Sequence, residues 1–295
     1  MATRSPGVGS VKLECVEGGV VDRHGYRTCD VAIITYSYPL KLLVPEYASE
    51  TNCKWIYPIT FGGGLVAGDR IDLHLAVGRE CSALLTSQES TKIYHCDGCL
   101  VTQQDLEAVV SQDALLSVLP DPIVCYQDAD FTQKQTFRLS GRSGLALLDW
   151  MTAGRMALDE RWQFKRFVSR TEIYIEDQLV FRDSVSLKNI PALSIKQSMK
   201  NYQVMGTFIL LGNKFEKASS KMKDKIGRIR SFGERADPAR VWSISPLTYH
   251  VCDPPVCGVY VRFLATDTTV AYSMVREIIS ELTDILGGDP FSHKY

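Results

Sequence analysis

Residues 62–69 read Gly-Gly-Gly-Leu-Val-Ala-Gly-Asp, and residues 71–77 read Ile-Asp-Leu-His-Leu-Ala-Val. The first stretch holds four glycines, namely Gly62, Gly63, Gly64 and Gly68. Such a loop requires positive φ angles or a very close approach to other atoms, which glycine tolerates without steric cost. The second stretch alternates apolar and polar residues, a period of two that is typical of a β-strand. A glycine-rich loop that leads into a strand favours a β-protein.

The glycine spacing also matches two nucleotide-binding loops, but both interpretations fail on their context. Gly63 and Gly68 have the spacing of a P-loop, yet Asp69 stands where the phosphate-binding lysine is required. A carboxylate at that point repels phosphate. A dinucleotide fingerprint requires a helix to begin at the loop, whereas residues 71–77 have the period of a strand. The sequence therefore indicates neither kind of nucleotide site.

Length and composition indicate a globular protein with a substantial core. The 295 residues include 33 Lys and Arg against 34 Asp and Glu, a balance that gives no reason to expect binding to nucleic acid or a membrane. No apolar run approaches the ~20 residues of a membrane span, and the N-terminus lacks the pattern of a signal peptide. Nine scattered cysteines suit reduced thiols. We therefore expect a cytoplasmic protein with a single domain over residues 1–295, of which residues 1–10 form a loose tail.

Short β-type runs recur along most of the chain. They comprise Cys29–Tyr36, Trp55–Phe61, Ile71–Val77, Cys81–Thr86, Leu100–Val110, Ala114–Leu119, Phe131–Leu139, Phe167–Ile175, Leu179–Leu187 and Gly258–Ala265. The runs on either side of Glu176-Asp177-Gln178 predict a hairpin. Because no helices separate most of these strands, we expect a mainly β, multi-stranded and largely antiparallel body, with β-helix-like stacked sheets as one form of it.

Two helices are predicted in the C-terminal third. Residues 213–230 carry apolar side chains at helical spacing among many Lys and Arg. This charge pattern is typical of a solvated helix face or of a basic docking surface. Residues 268–286 repeat the helical spacing, with Thr268 or Thr269 as the N-cap and Gly287 as the stop.

A second segment, residues 86–94, completes a recognisable pattern with the glycine loop. It reads Thr-Ser-Gln-Glu-Ser-Thr-Lys-Ile-Tyr and follows Pro58, the glycine loop and Asp69 in a specific order and spacing. Together they resemble the urease accessory protein UreD family, called UreH in some bacteria, whose segment reads Thr-Thr-Gln-x-x-x-Lys-x-Tyr. The resemblance implies that the motif residues here are Thr86, Gln88, Lys92 and Tyr94. Ser87 replaces the second threonine and keeps its hydroxyl. Without the resemblance, polar residues at a strand end are usually just solvated.

Residues 154–160 carry a further element of the resemblance. They read Gly-Arg-Met-Ala-Leu-Asp-Glu and resemble the Gly-Arg-x-x-x-Gly-Glu element of the family. Arg155 and Glu160 therefore match the family's element. Asp159 stands in place of the second glycine, which questions whether the turn keeps its shape.

The resemblance implies a urease maturation factor and not an enzyme. Such a protein binds apo-urease and, with a UreF-like protein and a UreG-like GTPase, helps to deliver nickel to the urease active site. Nickel would be held only transiently, by weak oxygen ligands, because strong soft ligands would trap the metal. Asp69 and Glu160 are the candidate carboxylates of this nickel path. An aspartate in a turn also commonly caps backbone N–H groups, so that interpretation of Asp69 stays open.

Three alternatives come from the residues themselves. The first is a metal-dependent hydrolase that uses Asp69, His74, His95 and Glu160, although these residues lack the compact spacing of zinc sites. The second is a plain β-scaffold adaptor, in which the glycine loop only makes a tight turn. The third is a weak metal-site hypothesis that joins a C-x-x-C pair to a wider cysteine pair. Its four residues are Cys96, Cys99, Cys252 and Cys257.

Overall fold

The structure is a computed structural model that describes residues 5–46, 49–96, 98, 100–190, 193–227 and 237–292. Its strands are β1 (Gly7–Cys15), β2 (Cys29–Tyr36), β3 (Leu40–Leu43), β4 (Cys53–Thr60), β5 (Arg70–Val77), β6 (Ser82–Leu85), β7 (Thr91–Ile93), β8 (Thr102–Val110), β9 (Leu115–Val118), β10 (Ile123–Cys125), β11 (Asp130–Leu139), β12 (Gly144–Thr152), β13 (Arg166–Ile175), β14 (Gln178–Lys188), β15 (Val204–Leu211), β16 (Arg240–Tyr249) and β17 (Val256–Ala265). Its helices are α1 (Ile195–Met199), α2 (Glu216–Ile226), α3 (Thr268–Ile279) and α4 (Thr283–Leu286). The mainly β class is confirmed.

The strands form two large sheets. Sheet I has the order β14-β13-β11-β8-β5-β1-β2. Sheet II has the order β16-β17-β15-β12-β9-β6-β4-β3, with β10 pairing to β12 and β7 pairing to β10. In the middle of the chain, β5, β8, β11 and β13 lie in sheet I, and β6, β9 and β12 come between them in sequence but lie in sheet II. The chain therefore winds from one sheet to the other, as in the stacked β-helix-like form that was expected.

This winding makes the central strands parallel. Each return to sheet I or sheet II runs in the same direction, so β5, β8, β11 and β13 pair in parallel, as do β6, β9 and β12. Parallel strands need a long crossover, and here the crossover is a strand of the opposite sheet. The prediction of a largely antiparallel body is wrong for these strands. Antiparallel pairing occurs towards the sheet edges, for example in the confirmed β13–β14 hairpin.

The N-terminal segment corrects a second prediction. Residues 7–10 were expected to lie in a loose tail, but they begin β1, which lies inside sheet I between β2 and β5. Gly9 is required there by close packing, because a Cβ atom at this position would lie 2.5 Å from Leu40 Cδ2. Glycine was interpreted as a sign of a flexible tail, whereas it makes room for a neighbouring side chain.

Two apolar layers hold the sheets. One lies between them and includes Leu73 of sheet I and Leu147 of sheet II. The other lies between the outer face of sheet II and the helices, where Trp150 packs edge-on against Tyr272 of α3 at 4.9 Å between ring centroids. Because both faces of sheet II are covered, β6 and β9 are buried at every position. The outer face of sheet I carries more exposed side chains, such as His74 of β5.

The late helices differ from prediction in their bounds. The helix expected over residues 213–230 is α2, and its Lys221 and Lys225 form ion pairs with Glu281 and Glu277. Residues 228–230 lie outside the described part of the chain. The helix expected over residues 268–286 is divided into α3 and α4. The N-cap is Asp267, one residue earlier than expected, and the stop at Gly287 is confirmed by its left-handed φ of 71°.

Among the described residues, no helix is both long enough and apolar enough to cross a membrane.

Candidate functional site

The glycine loop and the 86–94 segment lie against each other. Leu65 bridges Ile93 in parallel: Leu65 N donates to Lys92 O at 2.8 Å, and Tyr94 N donates to Leu65 O at 2.9 Å. The hydroxyl of Tyr94 also donates to Gly62 O at 3.4 Å. The two halves of the sequence pattern therefore form one structural unit beside β7.

The glycines of this loop fulfil both physical requirements that the sequence suggested. Gly62, Gly63 and Gly68 have positive φ angles of 86°, 72° and 80°. Gly64 is a position of close approach, because an added Cβ atom would lie 2.7 Å from both Lys92 O and the Tyr94 ring. Positive φ and close contact are thus divided among neighbouring residues of one loop.

The polar residues that follow β6 are mostly buried and paired. Thr86 Oγ1 donates to Leu119 O at 2.7 Å. Ser87 Oγ donates to Asp121 Oδ2 at 2.8 Å and accepts from Asp121 N at 2.7 Å. The other carboxylate oxygen of Asp121 accepts from the Tyr272 hydroxyl at 2.8 Å. Solvation does not explain Thr86 and Ser87, because both are buried; it does describe Gln88, which is exposed.

A second carboxylate, Asp149 of β12, lies between the sheets. Asp149 Oδ1 accepts from Gln133 Nε2 at 2.8 Å, and Asp149 Oδ2 accepts from Ser169 Oγ at 2.7 Å. Gln133 and Ser169 are direct neighbours in β11 and β13, so sheet I presents both donors side by side. Burial raises the pKa of the Asp149 carboxyl, and these two hydrogen bonds oppose the rise.

Asp149 borders a cavity of about 140 Å³ between the two sheets. The part of the wall made by polar side chains includes Thr86, Gln88, Gln104, Asp121, Gln133, Gln135 and Asp149. Among the described residues of this wall there is no cysteine and no histidine. The cavity wall therefore combines these oxygen- and amide-bearing side chains with many apolar ones, such as Leu73, Leu85 and Leu148.

Two further cavities continue the series. The second shares Asp149 and Trp150 with the first, and the third shares Asp183 and Gly206 with the second. Asp183 Oδ2 accepts from the Tyr260 hydroxyl at 2.7 Å. The lining residues thus succeed one another from the glycine loop to the β14–β17 side of the molecule.

The two carboxylates chosen from the sequence lie elsewhere. Asp69 is buried and accepts a hydrogen bond from Val66 N at 3.0 Å, so it caps its own turn. Glu160 is held by the guanidinium of Arg155, whose Nε donates at 2.8 Å and whose NH2 group makes a second, shorter contact. Neither carboxylate is among the described residues that line the three cavities.

Comparison with known proteins decides the family. The sequence model described as "UreD urease accessory protein" matches residues 21–294.

The chain belongs to the UreD family of urease accessory proteins.

Individual relatives agree with this assignment. The chain is 35% identical to urease accessory protein D of Arabidopsis thaliana, over 92% of this chain and 98% of that protein. It is 34% identical to urease accessory protein D of Oryza sativa subsp. indica, with 99% and 97% covered. It is 33% identical to urease accessory protein UreD of Sorangium cellulosum, with 87% and 77% covered. The resemblance predicted from the glycine loop and residues 86–94 is confirmed.

At Asp159, where the chain departs from the UreD pattern, the backbone takes a conformation that favours glycine. Asp159 adopts a left-handed conformation with φ of 59° and ψ of 18°, which aspartate tolerates better than most residues. Gly154, at the start of the element, has φ of 135°, and a Cβ atom there would lie 2.8 Å from Glu160 O. The element therefore keeps one essential glycine and replaces the other with the next most tolerant kind of residue.

Neither the metal-dependent hydrolase nor the four-cysteine metal site is supported by a cluster of ligands in the described part of the chain. Among the described residues, no three His, Cys, Asp or Glu side chains are grouped so as to hold a metal ion. His74 is half-exposed and faces Glu107 at 3.7 Å, while Asp69 and Glu160 are held as described above. Of the four cysteines, Cys96 contacts Thr102, Cys252 contacts Gly141, Cys257 lies in β17, and Cys99 lies outside the described residues.

Asp149, a carboxylate that lines the first two cavities, was not predicted from the sequence. Asp149 is the one charged residue within β12, whose sequence is GLALLDWMT. A lone carboxylate in such an apolar run is a signal that could have found it. Gln133 and Gln135 give a similar signal, because they lie between Phe131 and Phe137 on the inward face of β11.

Proposed function

We propose that this UreD family member is a urease maturation factor that binds apo-urease and, with UreF-like and UreG-like partners, passes nickel to the urease active site. The names of its relatives support a role as a urease accessory protein. The observation that carries the nickel proposal is the cavity between the sheets, where Asp149 is held in the wall by Gln133 and Ser169.

The chemistry of the cavity wall suits a metal that must leave again. Carboxylate, amide and hydroxyl oxygens are hard ligands that bind nickel less tightly than thiolates or imidazoles do. Each nickel ion is cargo, and its hydration can be exchanged step by step for oxygens along the wall. In this proposal the ion passes Asp149 and then Asp183, which border successive cavities. Asp69 and Glu160 stay candidates for the approach to this route, each with a local partner that competes for its charge.

The proposed role needs no chemical step on this chain. GTP hydrolysis belongs to the UreG-like partner, in agreement with a glycine loop that carries Asp69 where a P-loop needs lysine. In this proposal the protein acts with its GTPase partner in the cytoplasm. The eight described cysteines are all free thiols, which suits a reducing compartment.

Asp149→Asn tests the route. The variant keeps the volume of the side chain and an oxygen that accepts from Ser169, but it removes the charge that replaces lost nickel hydration. We expect normal co-purification with urease and the UreF-like and UreG-like proteins. We expect nickel loading of urease to slow by about tenfold, the scale on which loss of a supporting carboxylate weakens a metal site.

Asp105→Asn is the matched control. Asp105 follows the cavity residue Gln104 in β8 but belongs to the outer, charged face of sheet I, near Arg70. It should leave nickel loading unchanged. Full loading by Asp149→Asn, with all partners bound, would favour the adaptor alternative. Failure of the wild-type protein to co-purify with any of these partners would contradict the maturation complex itself.

A further inference from the structure

Three cysteines that are distant in sequence meet at the end of β1. Cys15 ends β1 and stands directly opposite Cys29, the first residue of β2. Cys81 precedes β6 and places its sulfur 3.6 Å from the Cys15 sulfur. This distance is van der Waals contact between two sulfur atoms. The cluster lies at the far end of β6 from Thr86, and the proposed nickel route does not use it.

The three thiols differ in accessibility. Cys15 is partly exposed, whereas Cys29 and Cys81 are buried. The Cys15 thiol donates to Arg79 O at 2.9 Å, in the turn that leads to Cys81. The neighbouring Cys29 thiol and burial raise the pKa of Cys81, so Cys81 lies beside Cys15 as a protonated thiol. The Cys15 thiol is therefore accessible to a small oxidant in solvent, and the buried Cys81 thiol is in contact with it.

We propose that Cys15 and Cys81 are a peroxide-sensitive thiol pair that forms a reversible disulfide. Hydrogen peroxide oxidises the Cys15 sulfur to a sulfenic acid and is itself reduced to water. The Cys81 sulfur then attacks the Cys15 sulfur, the S–S bond forms, and the sulfenic oxygen leaves as a second water with the Cys81 proton. The net change is two thiols and one peroxide to one disulfide and two waters.

The geometry requires only a local movement. A disulfide needs its sulfur atoms about 2.05 Å apart, so the pair must close by roughly 1.5 Å from its present contact. Cys15 is the last residue of its strand and is only partly buried, so the movement asked of it is a side-chain rotation next to Cys81. The bond would join β1 of sheet I to the turn that begins β6 of sheet II.

The experiment treats the reduced full-length protein with hydrogen peroxide, quenches with catalase, and alkylates the remaining thiols in urea. Peptide mass spectrometry without reduction should show a Cys15–Cys81 linked peptide and the joint loss of both free thiols, reversed by dithiothreitol. The melting temperature of the oxidised protein should rise by about 5 °C, because the crosslink restrains a long loop in the unfolded chain.

Cys15→Ser and Cys81→Ala should each abolish the linked peptide and the shift in melting temperature. Because Cys15 is partly exposed, Cys15→Ser should fold even if Cys81→Ala folds poorly, and it then tests the proposal alone. Cys257→Ser is the matched control, because Cys257 is also partly exposed but lies in β17. It should retain both signals. Oxidation of Cys15 to sulfinic acid without a link, or a link from Cys15 to Cys29 instead, would overturn the proposal.

Discussion

Glu160 and Arg155 form an ion pair that has its own pH signature. The Arg155 hydrogen bond is the main cause that lowers the pKa of Glu160 from its ordinary 4.5. The pair therefore stabilises the fold above that ordinary pKa, and the contribution is lost as pH falls through the lowered value. Glu160→Gln should lower the melting temperature slightly at pH 7, because exposed pairs contribute little. The difference from wild type should shrink and then vanish as pH falls below 4.5 and through the lowered pKa, as measured by thermal unfolding monitored by circular dichroism.

The same variant reports on the nickel route. Arg155 already neutralises Glu160, so Glu160→Gln should slow nickel loading less than Asp149→Asn does. Asp69→Asn keeps an oxygen that can accept from Val66 N, so its turn should survive. Loading slower in either variant than in Asp149→Asn would move the route out of the cavity and back to the carboxylates chosen from the sequence.

Asp149 should show the opposite pH dependence. Burial raises its pKa above the ordinary 3.8, so ionisation costs more in the folded state than in the unfolded chain. The free energy of unfolding therefore falls as pH rises from about 4 through the raised pKa, and each unit of elevation corresponds to about 1.4 kcal/mol. Asp149→Asn removes this loss. Its melting temperature relative to wild type should increase from pH 4 to pH 8; a flat difference would mean that the carboxylate is not desolvated.

The glycine loop depends on one close contact, between Gly64 and the Lys92 carbonyl. Gly64→Val would push a branched side chain into the Lys92 carbonyl, and we expect a loss of about 1–3 kcal/mol in the free energy of unfolding. Gly63→Ala is the control, because an added Cβ there meets open space and costs only the left-handed backbone conformation, about 1 kcal/mol. Urea denaturation measures both. Equal losses would show that the contact with residue 92 is unimportant.

Individual strands were predictable where one face is buried and the other is not. Residues 71–77 match β5, in which buried and more exposed residues alternate, apart from its first residue. Residues 29–36 match β2 fully, although most of its side chains are exposed. The continuous apolar runs of β12 and β15 were missed, since strands covered on both faces lack the alternating pattern, whereas the shorter β6 and β9 were predicted although they too are buried throughout. The strands β3, β7 and β10 were also missed, and three or four residues give little room for a period. Local pattern therefore identifies alternating strands more dependably than short or fully buried ones.

The sequence could not reveal how the strands pair within the two sheets. Alternation between two sheets leaves no local mark, so parallel neighbours look the same as hairpin partners. Residues 62–64 and 86–94 were recognised as two parts of one family pattern, but the cavity that they border depends on Gln133, Asp149 and Ser169 from three further strands. A site assembled across the interior is visible only once the winding is known.

The internal position of β1 has a consequence for synthesis on the ribosome. Its second neighbour, β5, ends at Val77, about 60 residues after Cys15. At typical translation rates of about 5–20 residues per second, β1 waits roughly 3–12 s for that neighbour to emerge. Throughout this interval the β1–β2 pair presents an open strand edge to every other nascent chain nearby. During this interval the nascent chain therefore depends on chaperones to cover the exposed edge of β1. The length of the interval is set by the distance along the chain between β1 and β5.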